Sequence, residues 1–193
     1  MPKLLLLIVG MPGSGKTVVA DIIAKKFNAA EVHSGDIIRE EVRARGLKYS
    51  PTTDAAIAHW FHTGGREILI AQRIWAKVKK KRKDIVVIEG LRSPSQLKEI
   101  ERLSGQKPVI INISAPFRIR HAREHKRGRF GKKESEAYLR FRDRDELKRG
   151  LGKLMRRADY RIDNRGTKKQ LEKAVVALIE KLMQKYKYSK PEV

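Results

Sequence analysis

Apolar residues gather along this chain in short runs that alternate with longer stretches of helical spacing. The runs Leu4–Val9, 31–33, 85–88, 109–113 and 160–162 are short and mostly β-branched. Such runs predict strands buried on both faces of a parallel sheet. Between them, helical patterns fill Lys16–Phe27, 36–45, 54–83, 94–103, 116–127, 133–149 and 168–186. In the last of these Leu171, Val175, Leu178 and Leu182 recur on one face. Regular alternation of strand and helix predicts a three-layer α/β sandwich, a five-stranded parallel sheet between helices. Two segments look inserted. Residues 46–65 carry Pro51, the pair Thr52-Thr53 and a glycine pair after Thr63, and residues 127–133 read RGRFGKK. Segments that cover a ligand have this character. No repeat or linker interrupts the pattern, and 187–193 reads as a frayed tail.

Composition sharpens this picture in three ways. The length of 193 residues suits a single domain, 1–193. The absence of cysteine excludes disulfides and thiolate metal sites. The first apolar run has six residues, too few for a membrane span or a signal peptide, so a cytoplasmic location is expected. Charge is uneven: residues 1–75 hold ten Lys/Arg against seven Asp/Glu, and 76–193 hold 35 against 15, within a net +23. A basic half of this kind points to polyanionic partners or to a heavily solvated surface.

The first run leads directly into Gly10-Met-Pro12-Gly13-Ser14-Gly15-Lys16-Thr17, a phosphate-binding P-loop. Glycines allow the backbone N–H groups to turn inward around a phosphate chain. The helix that begins at the loop, with Val18 in its first turn, aims its positive end at the anion. Lys16 is placed to reach the β- and γ-phosphates of ATP, and the Thr17 hydroxyl to meet Mg²⁺.

Ligands of an open parallel sheet sit beyond the carboxyl ends of its strands. One such end reads His33-Ser34-Gly35-Asp36-Ile-Ile-Arg39; another reads Ile88-Glu89-Gly90-Leu91-Arg92. Ser34 and Asp36 are candidate helix caps as well as site residues. Glu89 follows a β-branched strand, where a carboxylate suits a Mg²⁺ contact. A third segment is the arginine run Arg118, Arg120, Arg123, Arg127, Arg129, Arg140, Arg142 and Arg144, with Arg120, Arg123 and Arg127 on one helical face. Such cations neutralise a transferred phosphoryl group, or they simply line a solvated helix. Trp60 is a candidate for stacking on a base or for helix packing, and Trp75 for the core.

Taken together these segments resemble the adenylate-kinase-related nucleotide kinases of the P-loop NTPase class. Ser34-Gly35-Asp36-Ile-Ile-Arg39 looks like their Thr-Gly-Asp-x-Leu-Arg, and Glu89-Gly90-Leu91-Arg92 like their Asp-Gly-Phe-Pro-Arg, one residue shorter. The stretch from Ala158 to Thr167 is similar to the matching end of dephospho-CoA kinases. Arg142-Asp143-Arg144 with Gly150-x-Gly152 resembles an uncharacterised archaeal family related to both. The resemblance implies a helical acceptor-binding insert at about 34–75 and a short basic lid at about 118–145. It also implies Arg39 and Arg92 on the acceptor's phosphate, Ser34 and Gln96 near the acceptor base, and Arg120 and Arg123 on ATP phosphates. The backbone from Asn164 through Gly166 to Thr167 would face the donor adenine.

Two acceptor chemistries stay open. A nucleoside monophosphate, with AMP foremost, offers an ionised oxygen and needs positioning alone. Dephospho-CoA offers a ribose hydroxyl and needs a general base, for which Asp36 is the candidate. A third reading is an ATP-binding, RNA- or ribonucleoprotein-associated factor. It rests on the basic half and on residues 77–83, six of whose seven side chains are basic.

Overall fold

The computed structural model describes residues 1–128 and 135–186. Strands β1 (Leu4–Val9), β2 (Ala30–His33), β3 (Ile85–Glu89), β4 (Val109–Ser114) and β5 (Tyr160–Asp163) form one sheet. All neighbours run parallel, in the order β2-β3-β1-β4-β5. Each expected strand is present to within one residue at either end.

The described helices are α1 (Lys16–Phe27), α2 (Ser34–Ala44), α3 (Pro51–Phe61), α4 (Glu67–Lys81), α5 (Pro94–Ser104), α6 (Phe117–Arg127), α7 (Glu136–Arg149), α8 (Leu151–Arg156) and α9 (Lys168–Lys185). Central β1 explains the layering. Its side chains alternate between faces, and none is more than 2% exposed. Leu5, Leu7 and Val9 pack with Ile74 and Val78 of α4 and Leu97 and Ile100 of α5. Leu4, Leu6 and Ile8 pack with Val19 and Ile23 of α1 and Val175 and Ile179 of α9. Two-sided burial of this kind contributes roughly 1.5–3 kcal/mol for each large aliphatic side chain. Trp75 is in this core, 3% exposed.

Several helix boundaries differ from the sequence pattern. The stretch 54–83 is two helices, because Gly64 and Gly65 take positive φ of 60° and 71° and turn the chain between α3 and α4. Helix α3 starts three residues early: the Ser50 hydroxyl accepts from the Thr53 N–H and Pro51 occupies the first turn. Helix α2 begins at Ser34, with extended His33 in the capping position and no side-chain cap, so neither Ser34 nor Asp36 caps it. Helix α7 begins at Glu136, where the Ser135 hydroxyl accepts from the Tyr138 N–H. Most of the 127–133 segment, with Arg129, lies outside the described residues, as does the 187–193 tail. The short α8 had no periodic signal of its own; it follows Gly150 (φ 105°) and buries Leu151 and Leu154. Among the described residues no helix is long and apolar enough to cross a membrane.

The strand order reverses direction at β1, whose neighbours β3 and β4 lie on opposite sides. A crevice opens at such a point beyond the strand ends. It is there that the loop after β1 sits.

Candidate functional site

Beyond Val9 the chain enters the glycine loop and then α1. Gly13 (φ 74°) and Gly15 (φ 98°) hold left-handed backbone. A Cβ on Gly13 would sit 2.8 Å from the Arg120 carbonyl oxygen, and one on Gly15 would run into the Asn164 side-chain amide. Both positions therefore exclude side chains on conformation and on space. The Lys16 ammonium curls back over the loop and donates to the carbonyls of Gly10 (2.9 Å) and Met11 (3.2 Å). Burial, and next the Arg92 guanidinium, pull its pKa down to about 8. An ammonium depressed in this way gains from an anion beside it.

A cleft of about 570 Å³ opens over this loop. Pro12, Gly13, Gly15, Lys16, Thr17 and Val18 form its floor, and Asn164 and Gly166 lie at one side. Gly10 is below, as an acceptor for Lys16, and Ser14 is fully buried in the loop. The Asn164 amide donates to the Ser14 carbonyl at 2.8 Å, which ties the segment after β5 to the loop.

Opposite Lys16, Thr17 and Glu89 meet. The Thr17 hydroxyl donates to Glu89 Oε2 at 3.0 Å. Burial pushes the Glu89 carboxyl up, yet the His33 hydrogen bond and the charges of Lys16 and His33 hold it down at about 2. The hydrogen bond to Glu89 raises His33 to about 9 against its burial. Among the described residues no group of three or more His, Asp or Glu is arranged to hold a metal ion by itself. The Thr17 hydroxyl and one carboxylate are instead hard oxygen donors of the kind that hold Mg²⁺ jointly with phosphate oxygens. The donor set fits that ion.

Arginines converge on the cleft from three elements: Arg92 after β3, Arg123 and Arg127 from α6, and Arg142 from α7. Arg123 donates through Nη2 to the Asn164 carbonyl at 2.9 Å, while its Nη1 is buried with no hydrogen-bond partner. Carboxylates are interleaved with these cations. Glu124 pairs with Arg142 at 2.9 Å, and Glu146 lies 2.8 Å from Arg92 Nε.

Not every expected residue reaches the cleft. Arg120 is 6% exposed and locked to Asp143 (2.7 and 2.9 Å) and to the Pro12 carbonyl (3.0 Å); it braces the loop from behind. Gln96 is fully buried, and its side-chain oxygen accepts from the Arg92 N–H at 2.6 Å, so it holds the loop rather than facing a base. Ser34 is 7% exposed and packed against Gly90. Asp36 and Arg39 pair with each other at 2.5 Å, both more than 40% exposed, and neither lines the cleft. The Trp60 ring lies under the guanidinium groups of Arg45 and Arg66 and packs on the core, which is the helix-packing reading.

Glu124, Glu146, Lys168 and Leu171 line the cleft although the sequence patterns assign them no part in it, and Arg142 of the arginine run joins them. Arg142 and Glu146 are four residues apart on α7, a spacing that puts both on one helical face. His33 stands directly before the Ser34-Gly35-Asp36 segment, at a strand end.

An AAA-domain family profile matches residues 9–140. A UPF0200 protein from Hyperthermus butylicus is 33% identical over 180 residues, covering 93% of this chain and 95% of its own. A UPF0200 protein from Pyrococcus horikoshii is 32% identical over 185 residues, covering 93% and 98%. Among solved structures, the shikimate kinase of Acinetobacter baumannii in complex with shikimate superposes with a TM-score of 0.60. It is 21% identical, over 93% of this chain and 94% of that one. A gluconokinase from Sinorhizobium meliloti gives a TM-score of 0.57 at 15% identity, over 95% of both. At those identities the likeness is one of fold, that of the P-loop kinases. The family follows from the sequence matches: the chain belongs to the UPF0200 family of AAA-domain P-loop proteins.

Proposed function

We propose that the protein transfers a phosphoryl group from ATP to a small phosphate-bearing acceptor, a nucleoside monophosphate with AMP foremost. The observation that carries this reading is Arg123 Nη1, a buried guanidinium nitrogen without a partner beside the glycine loop. A buried, unsatisfied cationic donor costs on the order of 1–3 kcal/mol or more, and a phosphate oxygen in the cleft would satisfy it. Lys16 supports the same reading, because it borrows carbonyl oxygens where a polyanion would serve it better.

In this reading the loop N–H groups, Lys16 and Arg123 hold the ATP phosphates, with Asn164 and Gly166 toward the adenine. Thr17 and Glu89 would hold Mg²⁺, which supplies further neutralisation of phosphate charge when bound. Arg92 grips the acceptor phosphate. Its Nε lies 2.8 Å from Glu146 Oε2, and the side chain lines the cleft beside Lys16. Arg39 joins it by leaving Asp36. The transfer then rests on positioning and charge neutralisation.

A second reading, transfer to a hydroxyl such as that of dephospho-CoA, is favoured by one observation. Glu146 lines the cleft beside Lys16 and Arg92, and its Oε2 lacks a well-directed hydrogen bond. It would be the proton acceptor in place of Asp36, which pairs with Arg39 and does not line the cleft.

A phosphotransfer screen with ATP–Mg²⁺ against AMP, CMP, UMP, GMP and dephospho-CoA tests both. Expected is acceptor-dependent ADP release with at least one monophosphate. ATP hydrolysis indifferent to every acceptor would remove the kinase reading. Arg39→Ala is expected to raise the KM for the acceptor more than that for ATP.

A further inference from the structure

The geometry of β2 and β3 places three side chains in contact that the kinase reading does not use together. Residues two apart on a strand share a face, so Glu31 and His33 point the same way. The parallel register pairs His33 with Glu89 across the ladder, which sets Glu89 beside His33 on that face. The His33 ring fills the space between the two carboxylates. Its Nδ1 lies 3.0 Å from Glu89 Oε2, and its Nε2 lies 2.9 Å from Glu31 Oε2. His33 and Glu89 are 26% and 14% exposed, so water competes weakly for these bonds.

Glu89 needs such a restraint. It stands where the Asp-Gly-Phe-Pro-Arg segment that it resembles has an aspartate, and compared with aspartate it has one more methylene and one more rotatable bond. Left alone, its carboxylate would sample several rotamers at the mouth of the loop. Here Oε2 is engaged twice, by His33 and by the Thr17 hydroxyl, both at 3.0 Å. Oε1 has only a 3.4 Å contact with Thr17.

We infer that His33, oriented by Glu31, is a positioning residue that fixes the Glu89 carboxylate so that Oε1 is offered to the cation accompanying ATP. The inference rests on the ATP reading above. It assigns His33 no contact with nucleotide and no proton transfer. Two carboxylates on its two ring nitrogens are enough to define the ring's orientation, and the ring in turn defines Glu89.

The test measures binding rather than turnover. The imido analogue of ATP is titrated by calorimetry into wild type, H33A, H33Q, E31Q and E89Q, first with EDTA and then at rising Mg²⁺. For H33A the metal-free affinity is expected to stay within about twofold of wild type, while the Mg²⁺ concentration for half-maximal effect rises about tenfold. H33Q, whose amide can still donate to Glu89, recovers most of this. E31Q shifts the same way by a smaller factor, and E89Q sets the upper limit. An H33A curve that overlays wild type while E89Q shifts would overturn the inference and leave the ATP reading standing. So would a loss of metal-free affinity equal to the loss with Mg²⁺, since that is the mark of a merely structural residue. Wild type that binds no analogue under either condition would instead overturn the ATP reading itself.

Discussion

Asn164 joins two parts of the site with one side chain and one carbonyl. Its amide donates to the Ser14 carbonyl inside the glycine loop, and its own carbonyl accepts from Arg123. It is 5% exposed, so both contacts are made away from water. Asn164→Ala keeps the carbonyl and leaves the Ser14 oxygen unpaired. The expected loss is about 1–3 kcal/mol of stability, together with weaker ATP binding, read by denaturant unfolding and calorimetry. Unchanged unfolding would mean that the loop stands without this tie. His62 makes a different prediction. Burial first, then the charges of Arg149 and Arg92, hold its pKa at about 3, against the opposing pull of Asp145. The unfolded chain binds that proton near pH 6.5. Between those values the unfolded state carries more protons, so stability is complete above about pH 6.5 and falls as pH drops below it. At pH 5 the cost is about 2 kcal/mol. His62→Gln should therefore lose less melting temperature than wild type on going from pH 7 to pH 5; parallel losses would assign the acid sensitivity elsewhere.

Helix α9 shows how far a periodic pattern reaches and where it stops. The spacing Leu171, Val175, Leu178, Leu182 predicts the correct face, but the buried set is Leu171, Val175, Ile179, Leu182 and Met183. Leu178 packs only at the margin of the core, and Ile179 is fully buried. Two adjacent apolar residues both satisfy a period near 3.6, and only the sheet decides between them. Ile179→Ala should cost about 2–5 kcal/mol and Leu178→Ala under about 1 kcal/mol, compared by urea midpoints. The reverse order would mean that α9 is rotated on the sheet. The same logic divides the other elements. Strands were legible because two-sided burial leaves an uninterrupted apolar run, and the loop because its glycines serve the backbone locally. The break between α3 and α4 was not, since a glycine pair is compatible with a helix until neighbours force a turn. Nor were the braces behind the site. Arg120 meets Asp143 and Glu124 meets Arg142 across separations of 23 and 18 residues. An arginine run reads as one basic face, although folding sends Arg120 inward and Arg123 and Arg127 to the cleft.

At the scale of the molecule, the net charge of +23 acts on stability and on binding in opposite directions. Like charges repel across the folded surface and destabilise the compact state. Raising salt from about 0.01 M to about 1 M shortens the screening length from roughly 30 Å to roughly 3 Å. The melting temperature without nucleotide should therefore rise with NaCl. ATP adds a second increment: at a hundred times its Kd it stabilises by about 2.7 kcal/mol. For a chain of this size that amounts to about 5–11 °C. With ATP held as proposed, salt should erode this increment, because the same ions screen Lys16 and Arg123 from the phosphates and raise Kd. Thermal unfolding over a grid of NaCl and ATP concentrations reads both effects at once. Lys16→Ala keeps the rise with salt, since one charge in 45 Lys and Arg barely alters the total. It should lose most of the ATP increment, since Lys16 is the cation buried in the loop. An ATP increment of equal size in both proteins would place the nucleotide on the diffuse basic surface. An increment that survives salt in wild type and vanishes in the variant would place it even more firmly in the cleft, with burial shielding the contacts that screening was expected to weaken.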